Sequence, residues 1–235
     1  MKPSQLYIFL FMAILTISCQ KKEIKIPTSD KTGIQEISNF SEIWMFSDNN
    51  VEDTLLIKDH NLIGATNWIF NIDRNLKLKK VFPKIQYFQD KRLKRAEENK
   101  SEFKNYLSYS DTINEILSFV DVSYIQFHFD TLQSEKSILN NYDHYKNYNN
   151  IHLSFGLNSY FINENKMNKV GFFEILKEFL LNTKKENKIL LHLNFNQDLT
   201  YQEYLNIKTQ LIYSKNELFN LDPNEYIFDR NKFQD

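Results

Sequence analysis

The sequence predicts an α+β fold, in which helices pack on one face of a small β-sheet. Two hydrophobic patterns support this prediction: strict alternation, typical of strands, and apolar residues at i, i+3, i+4 and i+7, typical of helices. In the C-terminal half of the 235-residue chain they follow each other in the order β-β-α-β-α-β. A fainter copy in the N-terminal half suggests, as one possibility, two tandem units of this kind.

The C-terminal half begins with a predicted β-hairpin. The alternating run 151–157 reaches the turn-like pair Asn158-Ser159 and continues into a short second strand at 160–162. An amphipathic helix is predicted next, because the following apolar residues fall on one helical stripe: Phe172, Ile175, Leu176, Phe179 and Leu180.

A strand and a second helix follow. The apolar residues of 189–195 alternate with His192, which is therefore expected on the opposite face, toward solvent or under a helix. Thr200 and Glu203 have the spacing of a capping box, which would begin a helix reaching Ile212 with an apolar stripe interrupted only by Lys208. A strand at 226–228 completes the unit.

The N-terminal half is predicted from weaker signals. Segments 68–72 and 76–78 resemble a hairpin, and polar helix-forming sequence runs from about 84 to 100. A strand is expected at 103–109, and a closing strand at 124–129. Between them Thr112-Ile113-Asn114-Glu115 repeats the capping-box pattern, which is the main argument for a duplication.

Five segments are predicted from these patterns. Residues 1–18 are expected to be a lipoprotein signal peptide and residues 19–34 a flexible tether. An N-terminal α+β domain would span 35–135 and a C-terminal one 151–235. The Asn- and Tyr-rich stretch 136–150, which shows no periodicity, would link them.

The amino terminus carries the most specific signal. An apolar run at 6–15, too short to span a membrane, ends on Thr16-Ile17-Ser18-Cys19. Small residues before the only cysteine of the chain are typical of a bacterial lipobox, so Cys19 is the predicted lipid-attachment residue. The alternatives are an ordinary secretory peptide with an incidental cysteine, or an uncleaved anchor. Several acyl chains on one residue would anchor the protein firmly.

Composition argues against several classes of partner. The net charge of −1 leaves no basic excess for binding nucleic acid. The cluster 91–95 is basic, but Glu97-Glu98 follow it, which is typical of a solvated helix face. Only 4 glycines occur, with no Gly-rich phosphate loop, and no cofactor is predicted.

No residue pattern predicts catalysis or metal binding. The histidines have neither zinc-site spacing nor a cysteine partner: they are His60, His128, His144, His152 and His192. Asp143-His144 is interpreted as a solvated pair, and Asp198 and Glu203 are explained by helix capping. No G-x-S-x-G elbow is present, although a dispersed Ser, His and Asp could still converge in space.

The segment 189–201 resembles a feature of the ExbD/TolR periplasmic domain. In that family a hydrophobic strand runs into a short polar turn and then into an aromatic residue that begins the last helix, as Tyr201 would here. The likeness covers roughly 150–230 and, more faintly, 61–130. It implies an accessory subunit of a proton-driven envelope motor that binds partners or cell wall without doing chemistry. The chain departs from the family at residues 6–17. Family members carry an acidic residue in their single transmembrane helix, whereas this segment has none.

The leading hypothesis from sequence is a non-enzymatic protein of the bacterial cell envelope, held to a membrane by a lipid on Cys19. The outer membrane is favoured, with the folded part in the periplasm or at the cell surface. Its partner would be a protein or a cell-wall component, with an accessory role near an ExbD/TolR-type transport system as one version. The alternatives are an envelope hydrolase built from dispersed residues and a surface lipoprotein for nutrient capture.

Overall fold

The computed structural model describes residues 24–47, 55–99, 103–129, 134–183, 187–213 and 218–229, and, of the helix ending at Asn99, the side chains up to residue 94. Within these ranges the chain forms five helices and two six-stranded sheets, which confirms the predicted α+β class. The predicted lipid-attachment residue Cys19 and the predicted signal peptide 1–18 lie outside the described residues. None of the described helices is long and apolar enough to cross a membrane.

The first sheet is built around three parallel strands with antiparallel strands at its edges. The strand order is β3-β2-β4-β5-β6, and β1 pairs in parallel with the end of β5. Helix α1 (Leu78–Asn99) connects β4 to β5, so β4-α1-β5 is a β-α-β unit. The strands are β1 (Thr28–Ser29), β2 (Phe40–Ser47), β3 (Leu55–Lys58), β4 (Asn67–Ile72), β5 (Asn105–Asp111) and β6 (Ile116–Asp121).

The second sheet has the order β10-β9-β8-β11-β12-β7, with β8, β11, β12 and β7 parallel. Its strands are β7 (Gln126–Phe129), β8 (Tyr148–Phe155), β9 (Tyr160–Ile162), β10 (Asn165–Met167), β11 (Lys188–Asn196) and β12 (Phe219–Phe228). Its helices are α2 (Ser134–Asn140), α3 (Tyr142–Tyr145), α4 (Phe172–Asn182) and α5 (Tyr201–Tyr213). The segment β11-α5-β12 is the second β-α-β unit of the molecule.

The predicted elements of the C-terminal half are confirmed. Strands β8 and β9 form the hairpin, and helix α4 buries the stripe of Phe172, Leu176 and Leu180. The capping box of α5 is reciprocal: the Thr200 N–H donates to Glu203 Oε2 at 2.9 Å, and the Glu203 N–H donates to Thr200 Oγ at 3.2 Å. The short strand β10, which the sequence did not predict, adds one antiparallel strand at the edge.

Two N-terminal predictions are wrong. The segment 76–78, expected as a strand, leads into α1, where Leu76 and Leu78 are buried in the core. Thr112 and Glu115, expected to begin a helix, lie in the turn between β5 and β6. There the Asp111 carboxylate accepts the N–H groups of Ile113 and Asn114, which holds the turn. With one helix in the described part of the first sheet, the element order of the second half is not repeated.

The described part of the predicted flexible tether, residues 24–34, is packed against the fold. Its strand β1 pairs with β5, and Ser29 Oγ hydrogen-bonds Thr209 Oγ on α5 at 2.8 Å. The N–H of Ile34 donates to the carbonyl of Phe119 at 3.1 Å. Flexibility was expected because the segment lacks apolar periodicity, but backbone hydrogen bonds hold it in place.

The predicted linker 136–150 contains ordered elements, namely most of α2, all of α3 and the beginning of β8. Strand β7 falls within the predicted N-terminal domain, yet it pairs with β12 of the second sheet. Side chains from both halves also share one buried cluster, in which Phe82 of α1 stacks on Phe127 at 4.3 Å between ring centroids and packs against Tyr204 of α5. The two sheets are therefore joined by a common core.

The first turn of α1 is capped by the loop that precedes α5. The N–H of Leu78 donates to the carbonyl of Leu199 at 3.0 Å, and the N–H of Lys79 donates to that of Gln197 at 3.0 Å. The Lys79 ammonium lies 2.9 Å from the Asp198 carboxylate in the same loop. These acceptors satisfy donors that a helix start leaves without an intrahelical partner.

The first turn of α5 is capped in return by the loop that precedes α1. The N–H of Tyr201 donates to the carbonyl of Leu76 at 2.7 Å, and that of Gln202 donates to the carbonyl of Arg74 at 3.0 Å. An antiparallel bridge between Lys77 and Thr200 joins the two loops. The two β-α-β units thus meet through equivalent loops that cap each other's helices.

Candidate functional site

Two regions of the described structure bring polar side chains together. The first is the face of the second sheet that is covered by α2 and α3, and the second is a cleft between α1 and β7. The first region contains His152 and His192. The second contains a buried arginine.

On the covered face of the second sheet, parallel pairing sets the polar residues of β8 and β11 side by side. His192 pairs with His152 and Asn194 with Ser154, because both strands alternate in the same register. His192 is fully buried on the face opposite the apolar residues of β11, as expected for a position under a helix. Its ring packs edge-on against Tyr145 of α3 at 5.2 Å.

His192 is held by two partners. Its Nδ1 lies 2.7 Å from Asp222 Oδ2 on β12, and its Nε2 lies 2.9 Å from Asn150 Oδ1. Burial by itself would raise the pKa of Asp222, but hydrogen bonds from His192 and Asn224 hold it below its usual value. The carboxylate is therefore charged at neutral pH and fixes the imidazole in place.

His152 makes a separate contact with Ser134 at the start of α2. Ser134 Oγ lies 2.6 Å from His152 Nδ1, and it also accepts a hydrogen bond from Asn194 Nδ2 at 2.9 Å. Since Ser134 Oγ accepts from Asn194, its own hydrogen is available for His152. Burial, and to a smaller extent the nearby His192, lower the pKa of His152 to about 4.

These four groups do not form a Ser-His-Asp relay. The serine contacts one histidine and the aspartate the other, and the two rings are stacked 5.3 Å apart between centroids. A relay needs both contacts on the same imidazole. Ser134 is also completely buried, so a substrate carbonyl has no access to its hydroxyl. The network ties α2 and α3 to the sheet.

The cleft between α1 and β7 has a volume of about 460 Å³. Buried polar residues line it, namely Gln89, Arg92 and Asn105, which are 5%, 8% and 3% exposed. Exposed apolar side chains, Leu93 at 60% and Tyr124 at 52%, line it as well. Buried polar groups beside apolar surface are the ordinary composition of a binding cleft.

Arg92 is in this cleft because α1 turns it toward the interior. The buried stripe of the helix runs through Val81, Ile85 and Phe88, and Arg92 follows Phe88 by four residues on the same stripe. The prediction that the basic cluster 91–95 is a solvated face is therefore wrong for Arg92. Its neighbours Leu93 and Lys94 do face solvent.

The guanidinium of Arg92 is stacked but only partly hydrogen-bonded. It lies 3.8 Å from the centroid of the Trp68 ring, and its Nη2 donates to the carbonyl of Thr66 at 3.0 Å. Its Nε and Nη1, which carry three of the five guanidinium hydrogens, have no partner among the described residues. Burial lowers the pKa of Arg92 to about 10, so it remains charged at neutral pH.

Two acceptors in the same cleft are also unsatisfied. Gln89 Nε2 donates to the carbonyls of Val122 and Ile125, at 2.9 and 3.2 Å, which fixes its amide and leaves Oε1 without a partner. Asn105 Oδ1 also lacks one. A buried polar group that makes no hydrogen bond costs roughly 1–3 kcal/mol. Among the described residues, the lining of the cleft thus includes a buried cation without a carboxylate partner and two buried carbonyl oxygens without a hydrogen bond.

Strand β7 presents its outer edge to this cleft. Within the described sheet β7 pairs with β12 on one side only. On the cleft side the N–H of Phe127 donates to the side-chain oxygen of Gln86 on α1 at 3.1 Å. This edge is therefore partly occupied by α1, and only its remaining backbone groups are available to an added segment.

The other residues considered from the sequence are exposed or make local side-chain contacts. His144 is exposed, and Asp143 pairs with Lys146 at 2.7 Å, as expected for a solvated pair. His60 is exposed, and His128 contacts Asn224 at 2.8 Å. Among the described residues no group of three potential ligands could hold a metal ion.

Glu203 caps α5 as predicted, whereas Asp198 does not cap a helix and instead pairs with Lys79. Sequence reasoning also missed Lys208 of α5. Its ammonium, 1% exposed, is paired with Glu225, which also accepts a hydrogen bond from Tyr204 at 2.9 Å. The interruption of the apolar stripe of α5 was the signal that a charge is buried there.

Comparison of the chain with models of protein families, with curated proteins and with solved structures found no match.

Proposed function

We propose that this chain is a non-enzymatic protein of the bacterial cell envelope, lipid-anchored through Cys19, which binds a partner in the cleft between α1 and β7. The anchor is supported by the sequence around Ser18-Cys19 alone. The cleft is the observation that carries the binding role, because residues with unsatisfied buried polar groups and residues of the edge strand β7 line the same space.

The partner is a protein segment or a cell-wall component in the periplasm or at the cell surface, with the anchor in the outer membrane. One version of the proposal is an accessory role near an ExbD/TolR-type transport system. That version is supported only by the resemblance of the segment 189–201.

The test is in-cell crosslinking followed by recovery through a C-terminal tag, with four forms of the protein. Wild type is compared with Cys19→Ala for the anchor and with Tyr124→Lys for the cleft. The matched control is Tyr87→Lys, since Tyr87 is similarly exposed at 58% but does not line the cleft. Isolated cell wall is sedimented with the same four proteins to cover a non-protein partner.

We expect wild type and Tyr87→Lys to recover the same defined partner and Tyr124→Lys to lose it. Cys19→Ala is expected to leave the membrane fraction. If Cys19→Ala stays membrane-bound, the anchor is wrong. If Tyr124→Lys retains the partner as well as Tyr87→Lys does, the cleft is not the binding surface.

A hydrolase is the second candidate, because Ser134 and Asp222 each contact a histidine on one face of the sheet. A fluorophosphonate probe, which labels activated serines, tests it by comparing wild type with Ser134→Ala. We expect no labelling of Ser134, since its hydroxyl is buried. Labelling that Ser134→Ala abolishes would establish the enzyme instead.

A further inference from the structure

We propose that the cleft between α1 and β7 binds a carboxylate group of its ligand, and that Arg92 is the residue that receives it. This inference rests on the proposed binding function and names the chemistry of the partner, a carboxylate joined to an N–H donor and an apolar side chain. The carboxyl-terminal residue of a polypeptide has this combination.

The carboxylate is inferred from the unpaired charge of Arg92. A buried guanidinium in a protein is usually paired with a carboxylate, because removing the charge from water is costly. In the described part of the chain no carboxylate forms an ion pair with Arg92, and its contacts are the ring of Trp68 and one backbone carbonyl. Arginine is also the side chain best suited to bind carboxylates through several N–H groups.

The N–H donor is inferred from the two unpaired oxygens near the arginine. Gln89 Oε1 and Asn105 Oδ1 are acceptors without partners, and both residues line the same cleft as Arg92. An amide N–H next to the carboxylate would satisfy one of them. The apolar part of the ligand would contact Leu93 and Tyr124, which are exposed beside these polar groups.

Trp68 provides the readout for a binding experiment. It is one of the 2 tryptophans of the chain, so the full-length Trp44→Phe protein reports on Trp68 alone. A carboxylate that binds Arg92 would shift the guanidinium group with respect to the indole ring of Trp68, on which it stacks. The emission of Trp68 should change as a result, because the cation lies 3.8 Å from its ring.

The probes are N-acetyl-L-leucine and N-acetyl-L-leucinamide, which differ only in whether the terminal group is a charged carboxylate. We expect a saturable change in Trp68 emission with the first and at least about tenfold weaker binding of the second, as loss of a charged hydrogen bond predicts. Equal binding of both, or no saturable response to either, overturns the proposal.

Variants on the Trp44→Phe background assign the effect to Arg92. Arg92→Lys keeps a charge but loses the guanidinium, and it should weaken N-acetyl-L-leucine about tenfold. Lys94→Met removes a charge from the exposed side of the same helix and should not change affinity. If Arg92→Lys binds as tightly as the Lys94→Met control, Arg92 does not receive the carboxylate.

Failure here is distinguishable from failure of the proposed function. The titration uses purified protein and small probes, so it depends on neither the anchor nor the cellular partner. If Tyr124→Lys loses the partner but the titration shows no preference for the carboxylate, the cleft remains the proposed binding surface. The role of Arg92 is then rejected.

Discussion

Among the described side chains, the helices of the two β-α-β units each bury one cation, and the two cations have different partners. In the second unit Lys208 of α5 is paired with Glu225 of β12, inside the common core. In the first unit Arg92 of α1 lies at a cleft, stacked on Trp68 and without a carboxylate. The charge of Lys208 is compensated within the fold, so it serves the structure. The charge of Arg92 is compensated only in part among the described residues, which is the basis of its proposed role in ligand binding.

The largest effect should follow from breaking the pair in the second unit. Lys208→Met leaves Glu225 as a buried charge without its cation, which is expected to lower the free energy of unfolding by about 3–5 kcal/mol. Lys208→Met combined with Glu225→Gln removes both charges, keeps an acceptor for Tyr204 and should restore most of the loss. Urea unfolding measures both variants. A double variant no more stable than the single one would show that packing, not charge, sets the loss.

Acidification should destabilise the second unit through His152. Its pKa is lowered to about 4 in the folded protein, below about 6.5 in the unfolded chain, so the unfolded chain binds the proton first. The contribution of His152 to the free energy of unfolding is therefore complete above about pH 6.5. It falls as pH drops toward 4, by about 1–2 kcal/mol after allowance for the partial exposure of His152. The measurement is the free energy of unfolding of wild type and of His152→Gln between about pH 4 and pH 6.5. An equally steep fall in the variant would assign the dependence to other groups.

The unpaired cation of the first unit should matter less for stability. Arg92→Met loses the contact with Trp68 and the hydrogen bond to Thr66, but it leaves no carboxylate unpaired. We expect a loss below about 2 kcal/mol in the free energy of unfolding, since a cation–π contact contributes about 0.5–2 kcal/mol. The measurement is the urea unfolding used for Lys208→Met. A loss as large as that of Lys208→Met would mean that Arg92 has a structural role like that of Lys208.

The smallest expected difference in stability is between variants of the two segments with the capping-box pattern, 200–203 and 112–115. Thr200→Ala removes the capping box of α5 and should cost about 1 kcal/mol. Thr112→Ala serves as its counterpart in a β-turn, where the hydroxyl donates to the carbonyl of Ser29 at 3.1 Å, and should cost about 0.5 kcal/mol. Thermal unfolding of both variants makes the comparison. If Thr112→Ala lowers the stability by the same amount or more, the hydrogen bond to Ser29 contributes at least as much as the helix cap.

Local patterns predicted the second half better than the first for a physical reason. Helices α4 and α5 each bury an apolar stripe, and strand β11 alternates apolar with polar residues, so their periodicity is visible in the sequence. Leu76 and Leu78 were assigned to a strand because three residues cannot distinguish a strand from a helix start. Thr112 and Glu115 match a helix cap, but the cap requires an amphipathic helix after it, and Phe119 and Val120 instead belong to β6.

Local sequence patterns could not predict the candidate site, because the fold brings its residues together from distant parts of the chain. Arg92 and Asn105 lie on either side of the connection from α1 to β5, and Tyr124 follows β6. The basic residues around Arg92 concealed its burial, although its spacing from Phe88 on the helical stripe indicated it. The contact between His192 and Asp222 could not be predicted, because it depends on the parallel pairing of β11 with β12.

The exchange of helix caps between the two units has a consequence for synthesis of the chain. When the ribosome has completed α1, the carbonyls of Gln197 and Leu199 that receive its first N–H groups do not yet exist. The N-terminal half therefore leaves the ribosome without the two acceptors that cap this helix end in the native fold. The native cap of α1 therefore forms only after residues 197–199 are synthesised, and a product truncated before them would keep an uncapped helix end that proteases can attack.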